Sequence, residues 1–416
     1  MKKRIFITFG FLLIALTALT FLTNRTSGNG KKEKEVAEMK DTGRSEIPAV
    51  QLTNASGPVL RINDTLTDIA NFIAGKKEFK TQVVQDLVKD SAWIKYAGKT
   101  NQNWLRLDTN RHESVTNWVN KQLAEVSKEN YNLFYPFSGP DFLNADLFFP
   151  GADTVTMFGL EPVGSLPPVK EEWFKDSLHR YLSGIKVSLN DILNLSFFKT
   201  KDMFSDLRAK ELNGTTHLLL WFAARRGYSV SHVKHIALGH DGKIVWKTKA
   251  DTAYAKSPIR GIEIAVVKNN RSKIVRYFSA DISNHGFKKN KRLGVFLNEY
   301  NFTNTMVKSA SYLMHAANFT SVRNLILNRT THLLQDDTGI PYRCIDDSNE
   351  WDLTLFGTYE KPINLFHMNY QDDLRKAYDS LEIKPLTFGI GYKYRKNEST
   401  WMLVSKADKK LTANNK

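Results

Sequence analysis

The chain has 416 residues, with 59 Lys and Arg against 43 Asp and Glu, and a formal net charge of +16. Its only cysteine, Cys344, excludes an intrachain disulfide, so the fold must be stabilised by a core, which a chain of this length can supply. We interpret Cys344 as a small buried apolar group and not as a nucleophile.

The amino terminus predicts export. A basic start, Lys2-Lys3-Arg4, precedes an uncharged apolar run over residues 5–22. The run is longer than a usual signal-peptide core and short for a membrane span, so an uncleaved anchor and a late-cleaved signal both remain open. We expect a periplasmic or cell-envelope location, with residues 5–22 as an inner-membrane anchor in the first case. Export disfavours nucleic acid as the partner of the basic chain.

Three segments follow from composition. Residues 1–24 are the signal or anchor, and residues 25–50, rich in Gly, Ser, Lys and Glu, are a flexible linker. Residues 51–416 are expected to form a single globular α/β unit, with two lobes as the alternative. Its spread of basic residues leaves an acidic lipid or a glycan open as partner.

Helices dominate the first part of the folded region, and a strand–helix–strand unit follows. Hydrophobic spacing and capping residues predict helices over 64–75, 79–96 and 111–125. Residues 132–168 then predict a strand at 133–135, a helix opened by Pro140 and a strand at 154–160, a βαβ-type unit. Further helices are predicted over 171–184, near 190, over 200–210 and over 217–224.

Strands and helices alternate in the second half. Predicted hairpins join 228–238 to 243–247, 262–267 to 273–278, and 386–394 to 400–404. Predicted helices cover 291–300, 304–316, 321–329 and 370–381, with strands at 332–334, 352–356 and 365–366. The fold class is therefore mixed α/β (α+β), with a helical N-terminal region, a strand–helix–strand centre and several hairpins.

A weak internal repeat is visible. LFYPFSGPD followed by TMFGLEP resembles HLLQDDTGIP followed by TLFGTYEKP, each with an apolar strand, a Ser/Thr-Gly turn and a strand ending in Phe-Gly. Two pseudo-repeated halves around a cleft are one interpretation. Chance similarity of strand–turn patterns is the other.

Ser138 and Asp141 are the first candidate catalytic residues. Ser138-Gly139-Pro140-Asp141 follows a strand and opens a helix, as a nucleophilic serine at a sharp turn would, although the G-x-S-x-G motif is absent. The alternative is a helix cap, in which Ser138 accepts backbone N–H groups and Asp141 is the capping-box acid. The cap is the favoured interpretation.

Asp336 and Asp337 are the second candidate catalytic pair. Two adjacent carboxylates after a strand can share general acid and base roles, and Asp336 or Asp337 would face Asp141 across the predicted cleft. A solvated turn is the alternative, since adjacent strand residues point to opposite faces.

Tyr135, Glu161 and Gln335 are the candidate ligand-binding residues. They lie beside the two turns described above, where aromatic residues would form a rim: Phe134, Tyr135, Phe137, Phe148 and Phe149. No metal or cofactor is predicted, because His232, His235 and His240 are spaced along a strand too widely to share one ion.

The motifs LFYPFSGPDFL, TMFGLEPVGSLP, KSASYLMH and LLQDDTGIP resemble those of a family of exported bacterial proteins with no assigned function. The resemblance covers nearly the whole folded region and implies no catalytic residue. Two functions stay open: a tethered envelope protein that binds a small polar, glycan or lipid ligand, and an envelope hydrolase that uses carboxylates. A pocket with few buried charges favours the first, and two converging carboxylates favour the second.

Overall fold

The computed structural model describes residues 60–126, 131–167, 169, 177–198, 207, 212–248, 252–345 and 350–407. Contacts divide the chain into residues 1–52 and 53–416, and all described residues belong to the second unit. The predicted anchor and the predicted linker lie outside the described residues, and so does the predicted helix at 200–210 apart from position 207. Among the described helices, none combines the length and hydropathy that a membrane crossing requires.

Eleven strands in the described ranges form one mixed sheet in the order β10-β9-β11-β8-β7-β1-β2-β6-β5-β3-β4. The strands are β1 Tyr131–Tyr135, β2 Ala152–Gly159, β3 Ser229–Leu238, β4 Ile244–Trp246, β5 Arg260–Lys268, β6 Arg271–Ser279, β7 Asn304–Val307, β8 His332–Gln335, β9 Trp351–Gly357, β10 Ile383–Lys384 and β11 Thr400–Lys406.

The described ranges contain eleven α-helices. They are α1 Asp64–Ile73, α2 Ser91–Leu107, α3 Glu113–Gln122, α4 Phe142–Phe148, α5 Leu178–Leu195, α6 Thr216–Arg225, α7 Thr252–Lys256, α8 Asn284–Lys289, α9 Lys291–Glu299, α10 Thr320–Arg329 and α11 Asp372–Ser380. The mixed α/β class expected from the sequence is confirmed.

The centre of the sheet is parallel. Strands β8, β7, β1, β2 and β6 lie side by side in this order and pair in parallel with one another. Antiparallel strands extend the sheet on both sides. Successive residues of β1 face opposite cores: Leu133 and Tyr135 pack with residues of α1–α6, and Phe134 packs with residues of α9–α11. A sheet covered on both faces explains why its central strands are apolar throughout.

Two of the three predicted hairpins are confirmed. β3 pairs antiparallel with β4, and β5 pairs with β6 through a turn in which Asn269 and Asn270 both have positive φ. The parallel β1–α4–β2 unit is confirmed as well. The third hairpin is wrong: residues 386–394 contain no strand, and β11 pairs instead with β8 and β9. Gly391 in this segment has φ +67°, which is outside strand geometry.

The helix predicted over 304–316 is also wrong. Its first four residues form β7, which pairs in parallel with β1 and β8 and is buried throughout. Pairing on both sides overrides the local preference of the Ala- and Met-containing segment for a helix.

Three smaller corrections concern boundaries. Residues 79–90 form turns and a short 3-10 segment, so the second helix begins only at Ser91, where Asp90 caps it. The two helices predicted around 171–184 and 190 are one helix, α5, within the described residues. Residues 365–366, predicted as a strand, belong to the 3-10 segment Asn364–Asn369.

Candidate functional site

Polar residues gather where the central parallel strands end. Lys308 and Ser309 follow β7 directly, Asp336 follows β8, and Asp141 lies in the loop after β1. Since the carboxyl ends of parallel strands meet at one edge, these side chains come together from separate parts of the sequence. We call this set, with Ser196 at the end of α5, the carboxyl-edge site.

The site lies where the chain connections reverse direction. β1 continues through α4 to β2 on one side of it, whereas β7 continues through α10 to β8 on the other side. Because α4 and α10 pack on opposite faces of the sheet, the loops after β1 and β7 diverge. In open α/β sheets, such a reversal is the usual place for a ligand.

Asp141 is the cap of α4, which corrects the favoured interpretation of Ser138. The Oδ1 of Asp141 accepts the backbone N–H of Asn144 at 3.1 Å, and the Asn144 side chain donates to both carboxylate oxygens. The Ser138 hydroxyl donates to the carbonyl of Gly139 at 2.9 Å and accepts no helix N–H. The sequence placed the cap three residues too early, because Pro140 and Asp141 precede the first helical residue.

Two cations meet Asp141 at the end of α5. Lys308 Nζ lies 3.1 Å from Asp141 Oδ2 and also donates to the carbonyl of Ser196. Arg111 donates to the carbonyls of Ile192 and Leu193. Burial lowers the pKa of Arg111 to about 10, while the negative charge of Asp141 opposes that change. The carbonyl end of a helix and a buried carboxylate both attract cations, so the end of α5 and Asp141 together stabilise the charges of Lys308 and Arg111.

Asp336 and Asp337 are buried and hydrogen-bonded within the site. Asp336 accepts the backbone N–H of Ser309 at 2.9 Å on Oδ2, and both the N–H and the hydroxyl of Thr338 on Oδ1. Asp337 accepts the hydroxyl of Tyr312. Burial and the neighbouring Asp337 raise the pKa of Asp336 to about 6. Burial also raises the pKa of Asp337, against the opposing charge of Lys393. The pair is therefore not the solvated turn offered as the alternative.

Tyr135 connects the two groups of acids. Its hydroxyl donates to Asp141 Oδ2 at 2.8 Å. Burial, Asp141 and then Asp336 raise the pKa of Tyr135 well above its usual range. The negative charges after β1 and β8 thus act on one hydroxyl, with β7 between them. That Asp141 and Asp336 face each other across a cleft stays a prediction. The charged group that contacts the Asp141 carboxylate is Lys308.

Backbone strain is concentrated at the same edge. Ser309, Ser311 and Tyr312 have φ of +52°, +51° and +55°, and Phe137 in the loop after β1 has φ +58°. Non-glycine residues with positive φ cost free energy and persist where surrounding contacts hold them, often at functional sites. The hydrogen bonds of Ser309 and Tyr312 to Asp336 and Asp337 provide such contacts.

Two serine hydroxyls of the site keep unused hydrogen-bonding capacity. Within the described residues, the Oγ atoms of Ser309 and Ser196 are buried and lack a hydrogen-bond partner. Buried hydroxyls are normally satisfied, so an orphan hydroxyl marks a place for water or a ligand. A Cβ on Gly391 would lie 3.4 Å from Ser309 Oγ and 2.5 Å from Asp336 Oδ2, so both atoms face that glycine.

The segment 386–399 covers these atoms. Tyr392 donates its hydroxyl to the carbonyl of Ser309 at 2.9 Å and lies 2.7 Å from the Ser311 hydroxyl. The Tyr392 ring contacts Phe197 and Phe366 with centroid distances of 4.8 Å and 5.3 Å. The rest of the segment is held in the core, where Leu386, Phe388 and Ile390 are buried and the Phe388 ring contacts Trp118 and Phe148. Gly391 and Tyr392 are therefore the part of the segment that closes over the site.

The predicted ligand-binding residues have internal partners. Glu161 is buried beside β2, accepts the Tyr277 hydroxyl at 2.9 Å, and has its pKa raised by burial. The Gln335 amide makes two hydrogen bonds to the backbone of Ile340 and so orders the loop after β8. The predicted aromatic rim is wrong, because four of its five residues are in the cores: Phe134, Tyr135, Phe148 and Phe149.

The described residues contain no group of three or more His, Cys, Asp or Glu side chains placed to hold a metal ion. A cavity of about 300 Å³ lies between α1 and the start of β3, lined by Asp68, Lys80 and Tyr228 among others. Asp68 there accepts hydrogen bonds from Lys80 and Thr81, so it stabilises the loop after α1.

Comparison of the chain with protein-family models, with curated proteins and with solved structures finds no match. The resemblance to a family of exported bacterial proteins therefore stays a prediction.

Sequence reasoning missed Lys308 and Ser309. Both lay within the predicted helix 304–316, where a lysine and a serine are unremarkable. The local signal was too weak to find the strand, because Asn304 and Thr305 of β7 are polar and only Met306 and Val307 are apolar.

Proposed function

We propose that this chain is an exported, N-terminally tethered envelope protein that binds a small polar ligand, a glycan in preference to a lipid, at the carboxyl-edge site. The observation that carries the proposal is that two buried hydroxyls lack a hydrogen-bond partner within the described residues. They belong to Ser309, which follows Lys308 in the chain, and to Ser196, whose carbonyl accepts from Lys308. Hydroxyl donors and acceptors of this kind match the hydroxyl groups of a sugar better than an acyl chain.

The charges of the site also support a neutral ligand. Lys308 is neutralised by Asp141, and the charged group hydrogen-bonded directly to Ser309 is the carboxylate of Asp336. An anionic ligand would meet these carboxylates in a dry environment, at a high electrostatic cost. A neutral polyol would not.

A thermal-shift experiment on the full-length chain tests the proposal. The probes are neutral monosaccharides and N-acetylated amino sugars, each at millimolar concentration. A ligand that binds only the folded chain raises Tm in proportion to the logarithm of its concentration. We expect a rise for at least one of these sugars, reduced or lost in Ser309→Ala and Ser196→Ala.

Ser188→Ala is the matched control. The Ser188 hydroxyl of α5 is also buried without a partner in the described chain, but it belongs to the interior of a helix. Its removal should leave the sugar-dependent rise unchanged. Equal loss of the rise in all three variants, or no rise with any sugar, would contradict the proposed site.

The second candidate function is hydrolysis by carboxylates. It is favoured by Asp336, because burial and Asp337 raise its pKa to about 6, the range expected of a general base working near neutral pH. Turnover of a chromogenic glycoside or ester, abolished by Asp336→Asn, would support hydrolysis. A rise in Tm with a ligand, without turnover, would support binding and not hydrolysis.

A further inference from the structure

We propose that Ser309 is a covalent nucleophile for neutral acyl esters, with Asp336 as its proton acceptor and with Gly391 and Tyr392 as the cover that moves aside to admit the ester. The inference rests on the carboxyl-edge site proposed above, and it adds a chemical step that binding does not require.

The position of Ser309 is that of a nucleophile held at a sharp turn. Ser309 comes two residues after Val307, the last residue of a central parallel strand, and has φ +52°. A left-handed residue after a strand lifts its side chain out of the sheet at the edge where ligands bind. The G-x-S-x-G signature of such turns is absent, since Val307 and Ser311 stand at the glycine positions, so the sequence alone gives no warning.

Within the described residues, the hydroxyl of Ser309 has no hydrogen-bond partner, unlike those of Ser311 and Ser138. Ser311 is paired with Tyr392, and Ser138 donates to the carbonyl of Gly139. Ser309 Oγ and Asp336 Oδ2 both face Gly391, at 3.4 Å and 2.5 Å from the position of a Cβ there. A displacement of Gly391 would therefore expose the nucleophile and the carboxylate to the same space.

Asp336 suits the role of proton acceptor. The backbone N–H of Ser309 and the backbone and hydroxyl of Thr338 fix its orientation. Burial and Asp337 raise its pKa to about 6, so at neutral pH it is ionised and more basic than an ordinary aspartate.

Charge and shape select the substrate class. The acids Asp336 and Asp337 disfavour a phosphate or a carboxylate at Ser309, and the neighbouring Lys308 is already paired with Asp141. The rings of Phe197, Phe366 and Tyr392 lie over the site and would accommodate an apolar acyl group. A neutral ester of an apolar acid with a polar alcohol fits both parts.

The reaction balances without a co-reactant other than water. Ser309 Oγ forms a bond to the carbonyl carbon while its proton passes to the Asp336 carboxylate. The bond from that carbon to the leaving alcohol oxygen breaks, and the alcohol takes the proton from Asp336. Water then attacks the acyl carbon and gives a proton to Asp336. The bond from that carbon to Ser309 Oγ breaks, Asp336 returns the proton to Oγ, and the free acid leaves.

A neutral alkyl fluorophosphonate ester tests the nucleophile in the full-length chain. The reagent would form an Oγ–P bond at Ser309 with loss of fluoride, which mass spectrometry detects and assigns to one peptide. We expect one adduct on Ser309, none in Ser309→Ala, and at least tenfold slower labelling in Asp336→Asn. The wild-type rate should rise with pH through about pH 6, as Asp336 loses its proton, and this rise should vanish in Asp336→Asn.

Two further variants keep the test decisive. Ser188→Ala should be labelled at the wild-type rate. Tyr392→Phe removes the hydroxyl that attaches the cover to Ser309, so it should accelerate labelling. An adduct on another serine, or no adduct in either wild type or Tyr392→Phe, overturns the inference. If a sugar still raises Tm in that case, the proposed binding site is retained and only the role of Ser309 as a nucleophile is rejected. If no sugar raises Tm, both proposals are rejected.

Discussion

The ammonium of Lys308 lies 3.1 Å from the carboxylate of Asp141, and each side chain is only 2% exposed. The pair joins the loops after β7 and β1, the two neighbouring strands whose connections leave in opposite directions. Removing both ions from water is costly, so the contact persists only because Tyr135, Asn144 and the carbonyl of Ser196 complete their hydrogen bonds.

Loss of the Lys308 cation should therefore destabilise the fold strongly. Lys308→Met leaves Asp141 buried without its partner, and we expect the free energy of unfolding to fall by about 3–5 kcal/mol. Urea denaturation measures this change. Lys376→Met is the matched control, because the pair of Lys376 with Asp372 is exposed and screened by solvent, so its loss should leave the free energy of unfolding almost unchanged. Similar losses for the two variants would contradict a structural role of the buried pair.

Ser309→Gly should stabilise the fold while it abolishes the chemistry of the site. Glycine adopts φ +52° without the steric cost of a side chain, which is about 1–2 kcal/mol, and the Ser309 hydroxyl contributes no hydrogen bond in the described structure. After the entropy of glycine is subtracted, we expect a gain of about 0.5–1 kcal/mol in the free energy of unfolding. Ser188→Gly, inside α5, should instead lose about 0.5 kcal/mol. A similar decrease in the free energy of unfolding in the two variants would show that the backbone at Ser309 is not strained.

Gly391→Ala should be strongly destabilising. The added Cβ would lie 2.5 Å from Asp336 Oδ2, and the residue has φ +67°, so a clash and backbone strain add. We expect a loss of at least about 2 kcal/mol in chemical denaturation. Gly98→Ala in α2 has open space around its Cβ and should gain about 0.5–1 kcal/mol. If Gly391→Ala left the free energy of unfolding unchanged, segment 386–399 would not be in close contact with Asp336.

Glu263 should govern part of the acid sensitivity. Burial alone would raise its pKa, but the hydrogen bonds and charges of His232 and Arg276 lower it to about 2. The folded-state pKa lies below the ordinary value of 4.5, so the ionised group stabilises the fold above pH 4.5. That stability, about 3 kcal/mol, is lost as the pH falls from 4.5 towards 2.

Unfolding of Glu263→Gln as a function of pH checks this assignment. The variant should be weaker than wild type at pH 7 and should lose less stability than wild type between pH 4.5 and 2. Parallel pH curves for the two proteins would assign the acid sensitivity to other groups.

Local signals determined much of the architecture. The apolar run after Thr216 and the glycine beyond it predicted α6, and paired asparagines between two β-type runs predicted the β5–β6 hairpin. In each case the hydrophobic spacing, the caps and the turn residues lie within a few positions of the element they define, so the sequence contains the whole cause.

Tertiary pairing decided the site. Residues 304–307 become a strand because β1 and β8 offer partners on both sides, and neither partner is near them in the sequence. That placement turns Lys308 towards Asp141 and leaves Ser309 at positive φ beside Asp336. The sequence identified Tyr135, Asp141 and Asp336 because each lies at the end of a correctly predicted strand or in the loop after it. It missed Lys308 and Ser309 because the free energy that fixes β7 comes from long-range pairing and burial, which no local pattern encodes.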